Sequence, residues 1–371
     1  QLLSAALRKT GEPKTACILV ATSGDTGKAA LEGFKDVDKT KILVFYPVDG
    51  VSPMQKLQMT TQEGENVAVC AIHGNFDDAQ SAVKSIFTND EIKAELAKKN
   101  MMFSSANSIN WGRLVPQIVY YFSAYADLCK MGQLQVGEPM NVVVPTGNFG
   151  NILAGYYAKH MGLPIKTMVC ASNTNNVLTD FLKTGTYDRN RDFYATTSPS
   201  MDILISSNLE RLLYHMSGES DAAVRGWMTQ LAENGKYTVE PEVMAKIQNE
   251  FAAGYCDEAA VADTIHKTYT DQNYLCDTHT AVAFHVAAQK KRQGVPMVVL
   301  STASPFKFPR SVLSALGKAA PENDFEAMQQ LEAATGHAAP ASLAALRSKP
   351  ERFDTVIAPA QIAEVALGYQ A

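Results

Sequence analysis

Three short segments carry residue types that could bind and orient a small anionic ligand, and each follows an apolar run. The first is ATSGDTGKAA, with Thr22, Ser23, Gly24, Asp25, Thr26 and Gly27 between that run and a stretch of helical composition. Glycines let a backbone approach a ligand, and hydroxyls with the free N–H groups of a helix start make an anion site. The plainer reading is a turn with an N-cap, since Ser, Asp and Thr all cap well. Gly27-Lys28 is not a Walker loop: Thr22 stands where the first glycine should be, and Ala29 replaces the Ser or Thr. The second segment, VVVPTGNFGNILAG, runs through Thr146, Gly147, Asn148, Phe149, Gly150 and Asn151. Two glycines and two asparagines in six residues suit a nest of backbone N–H groups around a phosphate. The third, VVLSTASPFKFPRSV, places Ser301 and Thr302 at a strand end and Lys307 on the loop beyond, with Pro309 suited to a first helical position. By itself that segment reads equally well as turn residues and a solvated lysine.

These loops need strands before them and helices after them. TACILVA (15–21), KILVFYP (41–47), NVAVCAI (66–72), MNVVVP (140–145), KTMVCAS (166–172) and PMVVLST (296–302) read as buried strands. KAALEGF, FDDAQSAVKSIF and NILAGYYAKHMG read as helices between them, and residues 208–292 as mostly helical. Alternating strands and helices point to α/β layering. In open α/β sheets ligands bind beyond the carboxyl ends of strands, where all three segments lie. A chain of 371 residues is long for one core, so two domains are expected, 1–110 and 111–371. The Ala-rich tail from about Asn323, divided by Pro340 and Pro350, is assigned to the larger one.

With 46% hydrophobic and 19% charged residues the composition is that of a folded globular chain. A net charge of −5 argues against nucleic acid as a partner, and no apolar run approaches the roughly 18 residues of a membrane span. The six cysteines are scattered and none forms a metal-ligand spacing, so they read as reduced core residues of a cytoplasmic protein, with no metal expected. NSINWGR (107–113) and SPSMDILISSNLERLL could line a site or cap helices. DTHTAVAFHVAA puts His279 at a helix start and His285 within it, where His285 reads as a packed residue.

Taken in order, ATSGDTG, NSINW.R, PTGNFGN, SPSMDIL.SSN.ER and STASP.KFP resemble the threonine synthase family across nearly the whole chain. The resemblance implies the tryptophan-synthase-β fold (fold type II), with two open, twisted, mainly parallel sheets flanked by helices. It implies pyridoxal 5′-phosphate (PLP) as cofactor. It also implies conversion of O-phospho-L-homoserine and water to L-threonine and phosphate, by γ-elimination and β-replacement. Carried onto this chain, the family's cofactor phosphate cup falls on Gly147, Asn148, Phe149, Gly150 and Asn151, and its hydroxyl partner for the pyridine nitrogen on Thr302. Ser23, Gly24, Asp25 and Thr26 match its substrate-contacting segment, and Asn110, Arg113 and Lys307 are assigned to the substrate phosphate.

There are two departures. Many members have His where this chain has Ser304, and the family's cofactor-lysine motif, of the form H-G-P-T-x-A-F-K-D, does not occur in these 371 residues. The lysine is therefore expected upstream of Gln1, leaving no catalytic residue assigned within the chain. Two other readings stand beside the enzyme: a serine or threonine dehydratase of the same fold, and an inactive relative that binds phosphorylated ligands should the native chain begin at Gln1. Oligomeric state is not legible.

Overall fold

The computed structural model describes residues 2–22, 24–107, 110–290 and 294–369. They divide into two compact units, one of residues 1–110 and 338–371, the other of residues 111–337.

In the first unit β1 (Thr15–Ala21), β2 (Thr40–Pro47), β3 (Val67–Ile72) and β4 (Met101–Ser105) are all parallel. β1 lies between β2 and β4, with Ala16 opposite Thr40 and Thr15 opposite Met101. Its unbroken apolar run is what burial on both faces requires. Cys17, Leu19 and Ala21 join one core with Val83, Ile86 and Leu96, while Ile18 and Val20 join another with Leu31 and Met59. The Pro53–Thr60 helix starts at a capping box, Ser52 with Gln55, and Pro53 opens it.

The second unit is built on β5 (Met140–Pro145), β6 (Ile165–Ser172), the short ribbon strands β7 (Thr186–Asp188) and β8 (Lys236–Thr238), then β9 (Phe251–Tyr255) and β10 (Met297–Val299). The main sheet is parallel in the order β10-β5-β6-β9, and β7 pairs with β8 antiparallel. The Trp111–Lys130 and Gly150–His160 helices join its core through Leu114, Ile118, Tyr121, Ile152 and Leu153. No helix among the described residues is long and apolar enough to cross a membrane.

Two expectations change, and one gains detail. The last predicted strand, 296–302, is only three residues long, and its pairing with β5 ends at the bond from Leu300 N–H to the Val143 carbonyl, 3.0 Å. The stretch 208–292 is mostly helical as expected, with β8 and β9 as short strands within it; β9 follows the Pro241–Glu250 helix directly, with no Gly or Pro at the junction to announce the change. Finally, residues 338–371 belong to the first unit. β11 (Val356–Ile357) pairs with β3 at Ala71 and Ile72, giving the sheet order β11-β3-β2-β1-β4. Ile362 and Ala366 are fully buried in the first unit's core, and Arg352 N–H donates to the Thr60 carbonyl at 2.7 Å.

Candidate functional site

The loop after β5 is turned by backbone geometry. Phe149 has φ 65° and ψ 3°, a left-handed conformation that costs a bulky residue about 1–3 kcal/mol and persists only where its surroundings impose it. Its ring is 1% exposed and packs 5.8 Å from that of Phe251. Phe149 thus anchors the loop in the core. The loop's carbonyls are tied back: Ser206 Oγ donates to the Gly147 carbonyl at 2.9 Å, and Asn208 N–H and Nδ2 donate to that of Asn148 at 3.1 and 3.0 Å. Arg211 donates to Asn208 Oδ1 at 2.9 Å and so sets a positive charge behind that amide. Asn148 Oδ1 accepts from Gly150 N–H at 3.0 Å, and Tyr121 donates to the Asn151 carbonyl and Oδ1 at 2.8 and 2.9 Å.

With its carbonyls engaged, the loop presents donors. Among the described residues no protein acceptor bonds the N–H groups of Asn148 and Phe149, and the Gly150–His160 helix begins without a side-chain cap. N–H groups without a protein acceptor at a helix start can form an anion site. Gly147 has no room for a side chain: a Cβ there would lie 2.8 Å from the Ser200 carbonyl oxygen and 3.3 Å from Met201 Cα. The loop therefore has the features that a cofactor's phosphate needs.

The Ser198–Asp202 turn beside Gly147 sits on a buried polar cluster. Asn173 and Asn175 donate to Asp202 Oδ1 at 2.7 and 3.0 Å, and Thr196 N–H donates to its Oδ2 at 2.8 Å. Burial raises the Asp202 carboxyl above its ordinary range, and the Thr196 and Asn173 hydrogen bonds only partly offset it. Asp277 behaves oppositely. Burial pushes it up, but hydrogen bonds and charge from His279, with the Thr280 hydroxyl, more than offset this and hold it below the ordinary aspartate value. Asp202 belongs to the SPSMDILISSNLERLL segment read from sequence as able to line a site, whereas Asp277 carries no such signal. Thr302 is exposed two residues beyond Leu300, and Lys307 ends the half-buried Pro305–Lys307 turn, with its N–H bonded to the Ser304 carbonyl at 3.0 Å. Pro309 opens the next helix as predicted. Arg113 lies in the first turn of the Trp111–Lys130 helix.

In the first unit the loop after β1 is organised by Thr22, whose Oγ1 accepts from Gly24 N–H and Gly27 N–H, both at 2.9 Å. Asp25 and Thr26 open the Asp25–Phe34 helix, which has no side-chain N-cap bond at Gly24. Ser23 lies outside the described residues. Gln55, which sequence reasoning missed, is 1% exposed and donates to Asp25 Oδ1 at 3.1 Å. Asn107 binds the Ala21 N–H and carbonyl at 3.0 and 2.6 Å, extending the pairing of β1 beyond β4. Asn110 donates to the Ser105 carbonyl at 2.7 Å, so one of its amide hydrogens serves the backbone.

Among the described residues no group of His, Cys, Asp and Glu could hold a metal ion. A groove of about 1090 Å³ runs beside β10, between Phe284, Ala288, Thr264 and Lys267, and contains none of the predicted site residues.

Comparison with known proteins places the chain in a family. A family model described as a pyridoxal-phosphate-dependent enzyme matches residues 1–254, and one described as the threonine synthase C-terminal region matches residues 280–366. The chain is 44% identical to threonine synthase-like 1 of Homo sapiens over 306 residues, covering 81% of this chain and 41% of that protein. It is 40% identical to threonine synthase of Pseudomonas aeruginosa over 316 residues, covering 84% of this chain and 64% of that protein. The chain thus spans less than two thirds of the length of either relative. The crystal structure of a PLP-bound threonine synthase from Brucella melitensis matches with a TM-score of 0.82 at 40% identity, over 99% of this chain and 73% of that one. With the fold and these matches in agreement, the chain belongs to the threonine synthase family of pyridoxal-phosphate-dependent enzymes.

Proposed function

We propose that this protein forms L-threonine and phosphate from O-phospho-L-homoserine and water. The observation that carries the reading is the Gly147–Asn151 loop, with its carbonyls tied to Ser206 and Asn208, its Phe149 held left-handed, and no room for a side chain at Gly147. In this reading the loop of Gly147, Asn148, Phe149, Gly150 and Asn151 holds the cofactor's phosphate, with the Asn148 and Phe149 N–H groups as its backbone donors. Thr302 meets the pyridine nitrogen with a neutral hydroxyl, which leaves that nitrogen without a full positive charge. Bound PLP supplies the electron sink for loss of the γ-phosphate and addition of water at the β-carbon. Ser23, Gly24, Asp25 and Thr26 orient the substrate's amino-acid end. Arg113 and Lys307 supply the cations that its phosphate dianion needs, and Asn110 an amide donor.

A second reading is a catalytically inactive relative of the same fold that binds phosphorylated ligands. One assay separates the two. The purified protein, saturated with PLP, is given O-phospho-L-homoserine, and phosphate and threonine are measured together. Equal amounts of both support the enzyme. PLP binding with neither product overturns it in favour of the binding protein, and keto acid formed from serine or threonine identifies a dehydratase.

A further inference from the structure

His279 lies beneath the turn that borders Gly147 and links it to a buried carboxylate. The residue is 3% exposed, and Asp277 is fully buried. Asp277 Oδ1 caps the Thr278–Lys290 helix, accepting from His279 N–H at 2.8 Å and Thr280 N–H at 3.3 Å, and it also meets His279 Nδ1 at 3.0 Å. A carboxylate at Nδ1 makes that nitrogen the donor, so Nε2 is left as an acceptor. Ser200 N–H donates to Nε2 at 3.3 Å. The opposite side of the same residue, the Ser200 carbonyl oxygen, is the atom that a Cβ on Gly147 would meet at 2.8 Å. Thr278 Oγ1 adds a bond to the Thr197 carbonyl at 2.7 Å. A capped helix needs only Asp277. The second nitrogen of His279, aimed at the backbone of Ser200, is a link that capping does not require.

We propose that His279, held by Asp277, is a positioning residue for the cofactor's phosphate: it fixes the Pro199–Met201 turn against Gly147 and so sets the shape of the Gly147–Asn151 loop. The inference rests on the reading of that loop as the phosphate site. Asn173, Asn175 and Thr196 hold the same turn through Asp202, so loss of His279 loosens the turn without releasing it.

The test uses equilibrium dialysis of the purified protein against PLP and against pyridoxal, which lacks the phosphate. The parent is expected to bind PLP more tightly than pyridoxal. His279→Leu removes the acceptor and is expected to weaken PLP about fivefold to tenfold, the size of one hydrogen bond, while leaving pyridoxal unchanged. His279→Gln restores an acceptor and is expected to recover most of the loss. Equal PLP affinity in His279→Leu and parent overturns the proposal, and so does an equal loss for PLP and pyridoxal, which marks general damage. Gly147→Ala separates the two levels. If it abolishes the preference for PLP while His279→Leu does not, only the role of His279 fails. If the parent shows no preference, or Gly147→Ala leaves it intact, the phosphate-loop reading fails and the proposal with it.

Discussion

The side-chain amide of Gln55 donates to Asp25 Oδ1 at 3.1 Å and fills the space in which a Cβ on Gly24 would lie, 2.5 Å away. The same side chain accepts from Ser52 N–H at 3.1 Å, closing the capping box of its own helix. One buried glutamine therefore fixes the helix start and orients Asp25 beside Gly24, whose φ of 138° disfavours a side chain. Gln55→Leu is expected to cost about 1–3 kcal/mol of stability, the penalty for stranding buried partners. In steady-state assays with O-phospho-L-homoserine it is expected to raise KM more than it lowers kcat. An unchanged KM would remove Gln55 from substrate positioning.

Asp277 sets an acid limit on stability. Its folded-state pKa lies below the ordinary value of about 3.9, because the His279 and Thr280 interactions outweigh its burial. Its contribution is therefore complete above the unfolded value and is lost as pH falls through the folded one. Urea midpoints measured from pH 3 to 7 should rise with pH in the parent, and rise less steeply in Asp277→Asn. Parallel curves for the two proteins would contradict this account.

The thiols are expected to be inert in the native protein. Burial pushes Cys17, Cys170, Cys256 and Cys276 up to about 12 and Cys70 to about 11. At pH 8 a thiol of pKa 12 is ionised only about once in ten thousand molecules, and the thiolate is the reactive form. Cys129 is the half-buried one of the six. Titration with a disulfide reagent should find one fast thiol in native protein and six after denaturation. Several fast thiols in native protein would show that the cores around β1 and β6 open readily.

The carboxyl-terminal segment is structural for the first unit. Ile362 is fully buried in its core, and β11 pairs with β3. Ile362→Ala should cost about 2–5 kcal/mol, the usual range for emptying such a site. A change below about 0.5 kcal/mol, the size of a surface effect, would mean that the segment only drapes the unit.

The sequence by itself determined the two strand–loop–helix units, Thr15–Phe34 and Met140–His160, and with them the family and its cofactor. Apolar runs that end in glycine, hydroxyl and amide residues specify a buried strand, a close turn and a helix start through neighbours only a few positions apart. Tertiary structure alone decided what holds those loops in shape. Asn208 reaches Asn148 across 60 positions, Ser200 reaches His279 across 79, and Gln55 reaches Asp25 across 30. β11 joins β3 from the far end of the chain. A hydrogen bond between distant residues leaves no local period in the sequence, because its partner is chosen by the packing of whole sheets. For the same reason Phe149 could be placed in the candidate phosphate loop from sequence, whereas its work as the loop's anchor in the core appeared only in three dimensions.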